Sequence, residues 1–205
     1  MAEPLAGKTV GILASHEFED IEVDYPLLRL SEAGADMILV PIRKGHHPRP
    51  ALEGMGTKPV TGRFGNPFPP EVMTEGKRFV TKQFDELDLD ELDCVLIPGG
   101  FSPDHLRIMP EVVDFVREAY ERDKIVASIC HGQQVLIEAE IVEGKTMTCY
   151  EAVATDLANA GADFTDEGAV RDGNLVSGRV PDDLPEFCRT LIDALETHEV
   201  EASPA

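Results

Sequence analysis

A cysteine followed at once by a histidine and a glycine, Ala127-Ser128-Ile129-Cys130-His131-Gly132, stands where a short apolar run gives way to a helix-forming one. A strand that stops at a reactive residue and turns straight into a helix lifts that side chain above the sheet. A small residue just beyond it lets the turn pack closely. A thiol placed there feels the positive end of the helix dipole, which predicts a pKa for Cys130 below the ~8.5 of a free cysteine. The backbone N–H of His131 would then face an oxyanion, and the Gly99-Gly100 turn offers a second N–H. The competing reading is a buried thiol at a strand end with His131 on the surface. The coincidence of strand, Cys-His-Gly and helix favours the nucleophile.

The other three cysteines differ in kind. Cys94 and Cys149 lie in apolar strand-like stretches and Cys188 in an apolar helical one, and none forms a Cys-x-x-Cys pair. They read as buried, reduced, structural thiols. Glu17, Glu19, Asp20, Glu22 and Asp24 form an acidic cluster that would suit a solvated helix start, where carboxylates are favourable in any case. His16 and His105 fall near the ends of strand-like runs and could line a pocket. His46-His47 has no third ligand at sensible spacing, so no metal is expected. No dinucleotide fingerprint and no phosphate-cradling loop is visible, so no cofactor is expected either.

The elements that must position these residues alternate. Residues 8–14, 36–42, 93–97 and 125–129 are apolar runs with strand character. A helix is expected over 21–33, with Ile21, Tyr25, Leu28 and Leu30 at helical spacing before Gly34. Further helices are expected over 110–122, 132–140, 151–160 and 182–197. A short strand is expected at Thr146–Cys149, and Asp172-Gly173-Asn174 between Ala169-Val170 and Leu175-Val176-Ser177 is a hairpin signal. Strands alternating with helices indicate an α/β fold with a mainly parallel sheet covered on both faces. Ligands bind beyond the carboxyl ends of such strands, which points to Ser15–Glu19, Gly99–Asp104 and Cys130-His131. The chain is expected to be one domain over 1–205, with a long Pro/Gly-rich excursion at 43–82 and a frayed tail at 198–205. Residues 59–70 are expected to hold no regular element, and the excursion to act as a lid or subunit contact.

Charge narrows the class. Eighteen Lys and Arg against thirty-nine Asp and Glu leave a net of −21, which argues against binding a phosphate backbone or an anionic membrane. The acidic residues are dispersed among compact Val, Ile and Leu runs, so disorder is the poorer explanation. Seven Lys against eleven Arg fit a halophilic protein adapted to a salt-rich cytoplasm, where self-repulsion is screened. There is no apolar run of membrane-spanning length, and Met-Ala-Glu-Pro-Leu is unlike a signal peptide, so a cytoplasmic protein is expected.

Ala-Ser-Ile-Cys-His-Gly, together with Glu17-Phe18-Glu19-Asp20 and Pro98-Gly99-Gly100 followed by Pro103-Asp104, resembles the ThiJ/PfpI family. That superfamily holds intracellular protease I, the parkinsonism-associated deglycase and glyoxalase III-type enzymes, and is related to class I glutamine amidotransferase domains. Asn159-Ala160-Gly161-Ala162 and Arg179-Val180-Pro181 extend the resemblance over essentially the whole chain. It implies a flavodoxin-like three-layer sandwich and a reactive Cys130. It also implies an acidic partner at Glu19, buried and protonated, whose carboxyl approaches the thiol. His131 would serve as a base or merely line the site. The acid paired with it, supplied by a neighbouring subunit, falls on Asp104, one methylene shorter than the Glu of some relatives. Gln133 stands where many relatives carry Pro.

The activity so implied is a cysteine-dependent stress-protection enzyme acting on small reactive carbonyls or their adducts on protein. The alternatives are an intracellular cysteine peptidase and a non-enzymatic redox-sensing or chaperone-like stress protein. A homodimer or a ring of dimers is the implied assembly. No nucleic-acid or membrane partner is expected.

Overall fold

A computed structural model describes residues 3–43 and 59–198. The strands are β1 (Thr9–Ala14), β2 (Asp36–Pro41), β3 (Val60–Thr61), β4 (Pro67–Phe68), β5 (Val80–Thr81), β6 (Cys94–Ile97), β7 (Ile125–Ile129), β8 (Thr146–Met147), β9 (Asp163–Phe164), β10 (Ala169–Asp172) and β11 (Leu175–Gly178). The helices are α1 (Ile21–Glu32), α2 (Ser102–Leu106), α3 (Pro110–Glu121), α4 (Gln133–Glu138), α5 (Ala154–Asn159) and α6 (Leu184–Thr197).

Seven strands form one sheet in the order β10-β11-β7-β6-β1-β2-β5, parallel throughout except for the β10–β11 hairpin at the edge. The chain leaves β1 toward β2 and later returns on the other side of β1 as β6. The strand order therefore reverses between β1 and β6, and in open α/β sheets ligands bind beyond the carboxyl ends at such a reversal. Runs such as Val10–Ala14 and Cys94–Ile97 are apolar at almost every position because both faces are covered. Side-chain alternation along β1 and β7 splits the core in two. Val10, Ile12, Ala14, Ile125, Ala127 and Ile129 pack with α1 and α6, while Leu13 and Val126 pack with α3, α4 and α5. This is the α/β sandwich expected from the sequence.

Two expectations need correction. Residues 59–70 do hold regular structure, because β3 and β4 pair as a small hairpin, Val60 with Phe68 and Thr61 with Pro67. The same excursion then supplies β5 to the sheet edge. His46-His47 lies outside the described residues. The buried stripe of α1 is Glu22, Val23, Pro26, Leu27 and Leu30, whereas Ile21 and Leu28 face outward at 50% and 49% exposure. Ser102–Leu106 forms the short helix α2, an element with no counterpart among the helices expected from the sequence.

Candidate active site

Cys130 directly follows β7 with φ +62°, a left-handed backbone uncommon for a non-glycine residue, and α4 begins three residues later at Gln133. The neighbouring strand fixes the turn, since the Cys130 N–H donates to Gly178 O at 3.0 Å. Gly132 must be glycine because a Cβ there would lie 2.5 Å from Ile97 O. These contacts build the strand–turn–helix expected from Cys-His-Gly.

The β1–α1 turn closes over this elbow. Phe18 and Gly100 form an isolated antiparallel bridge, the Phe101 N–H donates to Glu17 O at 2.8 Å, and the Glu19 N–H to Gly99 O at 3.3 Å. Gly99 and Gly100 permit the approach. A Cβ on Gly100 (φ +73°) would meet Glu17 O at 2.4 Å. One on Gly99 would lie 2.7 Å from both Cys130 Cβ and Glu22 Oε2 and 2.9 Å from His131 N. Thiol, carboxyl and amide thus converge on one glycine.

The carboxyl beside the thiol belongs to Glu22, and the expectation that Glu19 fills this place is corrected. Glu19 lies before the helix, partly covered, and its Oε2 accepts from Arg63 Nη1 at 2.9 Å. Glu22, in the first turn of α1, is fully buried, and its Oε2 accepts the Gly99 N–H at 2.7 Å. Burial pushes the Glu22 pKa up to about 8, aided by the nearby charge of Glu19 and opposed by the Gly99 N–H. Its second oxygen, Oε1, is buried with no hydrogen-bond partner among the described residues. The signal was present in the sequence: Glu22 lies four residues before Pro26 and eight before Leu30, on the apolar stripe, whereas Glu19 precedes the helix.

Cys130 itself is 7% exposed, and the predicted lowering of its pKa does not hold. Burial raises it first, and the charge of an ionised Glu22 raises it further; the backbone N–H groups of Gly100 and His131 act in the opposite direction. Those two amides are the ones aimed at sulfur. The Gly99 N–H, expected to serve an oxyanion, is taken by Glu22. Burial also raises the other three thiols, Cys149 and Cys188 to about 12 and Cys94 beyond that.

His131 Nδ1 lies 3.3 Å from Cys130 Sγ, and its ring stacks on Tyr150 with centroids 5.0 Å apart. Burial lowers its pKa, the charge of Asp104 raises it and that of Arg63 lowers it, leaving an imidazole inclined to be neutral. Asp104, the exposed residue of the otherwise buried α2, therefore acts on His131 within the same chain. His105 and His16 are buried behind the β1 turn, His105 Nδ1 at 3.5 Å from Ser15 Oγ and His16 Nδ1 accepting the Thr61 N–H at 3.3 Å. Arg63 is the contribution of the excursion that sequence reasoning missed. Its N–H donates to Phe18 O at 2.9 Å, and its guanidinium lies 5.6 Å from the Phe101 ring centroid. Among the described residues no cluster of His, Cys, Asp and Glu could hold a metal ion, and no helix is long and apolar enough to cross a membrane.

The model of the DJ-1/PfpI family matches residues 8–194. A candidate cysteine protease of Bacillus subtilis, YraA, is 35% identical over 92% of this chain and 99% of its own length. Protein/nucleic acid deglycase 2 of Escherichia coli is 35% identical over 92% of this chain and 98% of its own. Among solved structures, a two-domain protein of Anabaena variabilis with DJ-1/ThiJ/PfpI-like and ferritin-like domains superposes with a TM-score of 0.76. It is 34% identical and covers 97% of this chain, which corresponds to 52% of that protein.

Proposed function

The chain belongs to the DJ-1/PfpI family, and on that premise we propose that it is a cysteine-dependent enzyme converting small reactive carbonyls, or their adducts on protein, into hydroxy acids. The observation that carries the reading is a buried carboxyl, Glu22, whose pKa of about 8 keeps it protonated at neutral pH beside a thiol. The Cys130 thiol adds to the aldehyde carbon of a 2-oxoaldehyde such as methylglyoxal, and its proton passes to the new oxygen. Glu22 gives its own proton to the neighbouring ketone oxygen and takes the hydrogen from the former aldehyde carbon, leaving an enediol. It then returns that hydrogen to the neighbouring carbon and takes the proton of the hydroxyl on the former aldehyde carbon, ending protonated as it began. The result is a 2-hydroxy thioester, with one carbon oxidised and its neighbour reduced and no outside oxidant. Water then releases the hydroxy acid and restores the thiol. The N–H groups of Gly100 and His131 would steady the negative charge that develops at or next to sulfur.

The proximity of His131 Nδ1 to Sγ, 3.3 Å, with its lowered pKa, favours one second reading. A neutral imidazole in that place would accept the thiol proton, as peptide hydrolysis through a thioester requires. The homodimer or ring of dimers belongs to the same proposal, and the outward-facing Ile21 and Leu28 of α1 support it. Light scattering that finds a monomer would remove that part. For the chemistry, methylglyoxal consumption with release of lactate should be catalytic, and Cys130→Ser should abolish it. Peptide cleavage without aldehyde turnover would favour the second reading, and stoichiometric oxidation of Cys130 alone would exclude both.

A further inference from the structure

Gln133 opens α4 fully buried, and its carboxamide nitrogen reaches three backbone carbonyls at once: Thr148 at 2.9 Å, Gly178 at 3.1 Å and Ser128 at 3.4 Å. Two of these belong to segments that shape the site. Gly178 O also accepts the Cys130 N–H at 3.0 Å, so one carbonyl holds both the strained residue and the carboxamide. Thr148 lies two residues before Tyr150, whose N–H donates to Cys130 O at 3.1 Å and whose ring stacks on His131. The carboxamide oxygen has no partner among the described residues, although it is buried. A buried polar atom left unpaired is unfavourable, and a side chain placed only to fill the core would be apolar here.

We propose that Gln133 is a positioning residue, which sets the aim of Cys130 through Gly178 and the seat of His131 through Thr148 and Tyr150. It touches neither the sulfur nor any place a substrate would occupy. It adds a side-chain tie among three chain segments that already meet through the β7–β11 ladder, the Thr148 N–H to Ser177 Oγ bond and the Cys130 backbone. The inference rests on the reading of Cys130 as the reacting thiol, and a shift of that sulfur by about 1 Å is the kind of error that costs turnover on the order of a hundredfold.

The test measures Cys130 alkylation by iodoacetamide and methylglyoxal turnover across pH in wild type, Gln133→Met and Gln133→Glu, with thermal melts alongside. Met keeps the volume and loses the donors. It should lower kcat roughly 10- to 100-fold, leave KM close to wild type and slow Cys130 labelling, while unfolding stays cooperative. Glu keeps the shape. As a carboxylate it faces three carbonyls with no proton, whereas protonated it regains one donor, so its labelling rate relative to wild type should recover as pH falls. If Met does not fold, this pH-dependent recovery in Glu carries the test. Variants that melt earlier yet label and turn over like wild type when folded would show a merely structural residue and overturn the proposal. If wild-type Cys130 is not the fast thiol, the reading beneath it fails instead.

Discussion

The backbone N–H of Gly99 donates to Glu22 Oε2 at 2.7 Å, so the turn after β6 grips the carboxyl that faces Cys130. This one bond decides two matters. It removes the Gly99 amide from service to a reacting oxygen, and it fixes one carboxyl oxygen while leaving the other for a proton. A side chain on Gly99 would strike both Glu22 Oε2 and Cys130 Cβ at 2.7 Å. Gly99→Ala should therefore cost activity far more than the ~0.5–1 kcal/mol by which a glycine and an alanine differ in backbone freedom. A variant with wild-type turnover would mean that thiol and carboxyl can separate without loss.

Glu22 also makes stability depend on pH. Its folded pKa, about 8, lies above the ordinary 4.5, so between those values the folded protein holds a proton that the unfolded chain has lost. This contribution to stability is complete below about pH 4.5, declines as pH rises, and levels off above about 8. The slope from one group approaches ~1.4 kcal/mol per pH unit, and the whole window is worth a few kcal/mol. Glu22→Gln should remove that slope and gain most over wild type at the alkaline end. Urea unfolding of both proteins from pH 5 to 9 reads the difference directly, and parallel curves would mean that Glu22 is ionised in the folded state.

Reactivity and turnover should separate in the same variant. The charge of ionised Glu22 raises the Cys130 pKa, so a neutral Gln removes that repulsion and can still donate to a thiolate. Iodoacetamide should label Cys130 at lower pH in Glu22→Gln than in wild type, while methylglyoxal turnover falls by roughly 100- to 10,000-fold for want of a proton carrier. Cys94, Cys149 and Cys188 should stay silent in both until the chain unfolds, because at 0–1% exposure against 7% for Cys130 they are closed to the reagent. Loss of labelling together with turnover would show instead that Glu22 is needed to form the thiolate.

The strands were legible because a sheet covered on both faces demands continuous apolar runs, as in Cys94–Ile97 and Ile125–Ile129. Cys130 was legible for the same reason, since a nucleophile at a strand end needs only local sequence. Glu22 was not read correctly. Five acids lie within eight residues, and only the phase of α1 tells which one is buried; Glu19 was taken from the resemblance, whereas the stripe through Val23, Pro26, Leu27 and Leu30 singles out Glu22. The β3–β4 hairpin was hidden because two-residue strands carry no periodicity, and its sequence is dominated by Pro and Gly. Arg63 could not be foreseen, since its place depends on Asp20, which holds the hairpin by accepting the N–H groups of Phe64 and Asn66 at 2.9 Å each.

His131 should respond in opposite directions to its two charged neighbours. Asp104 raises its pKa and Arg63 lowers it, on top of the lowering due to burial. Asp104→Asn should move the imidazole titration to lower pH and Arg63→Gln to higher pH, followed by NMR of the ring Cε1–H. If His131 serves as a base, the acid limb of the pH–rate profile should move with the titration in each variant. A titration that moves while the rate profile stays fixed would leave His131 lining the site without taking the proton.

Salt should stabilise this protein, for a reason that can be weighed. Screening weakens favourable exposed pairs, such as Arg122–Asp90 at 3.0 Å and Arg107–Glu138 at 2.9 Å, but each such pair is worth only ~0–1 kcal/mol. Against this stands a net charge of −21, since even if every Lys and Arg were paired, 21 acidic groups would remain to repel one another. Their repulsion is felt over distances beyond the ~3 Å screening length reached at 1 M salt, so it is damped more completely than the contacts at 3 Å. The melting temperature should accordingly rise by several degrees between about 0.05 M and 1 M KCl. Because Glu22 and Cys130 are buried, the pH at which Cys130 begins to label should move less over the same range than the labelling profile of an exposed thiol would. A melting temperature that stays level or falls would show that the acidic surface is already neutralised by local pairing, and the adaptation to salt would be discarded.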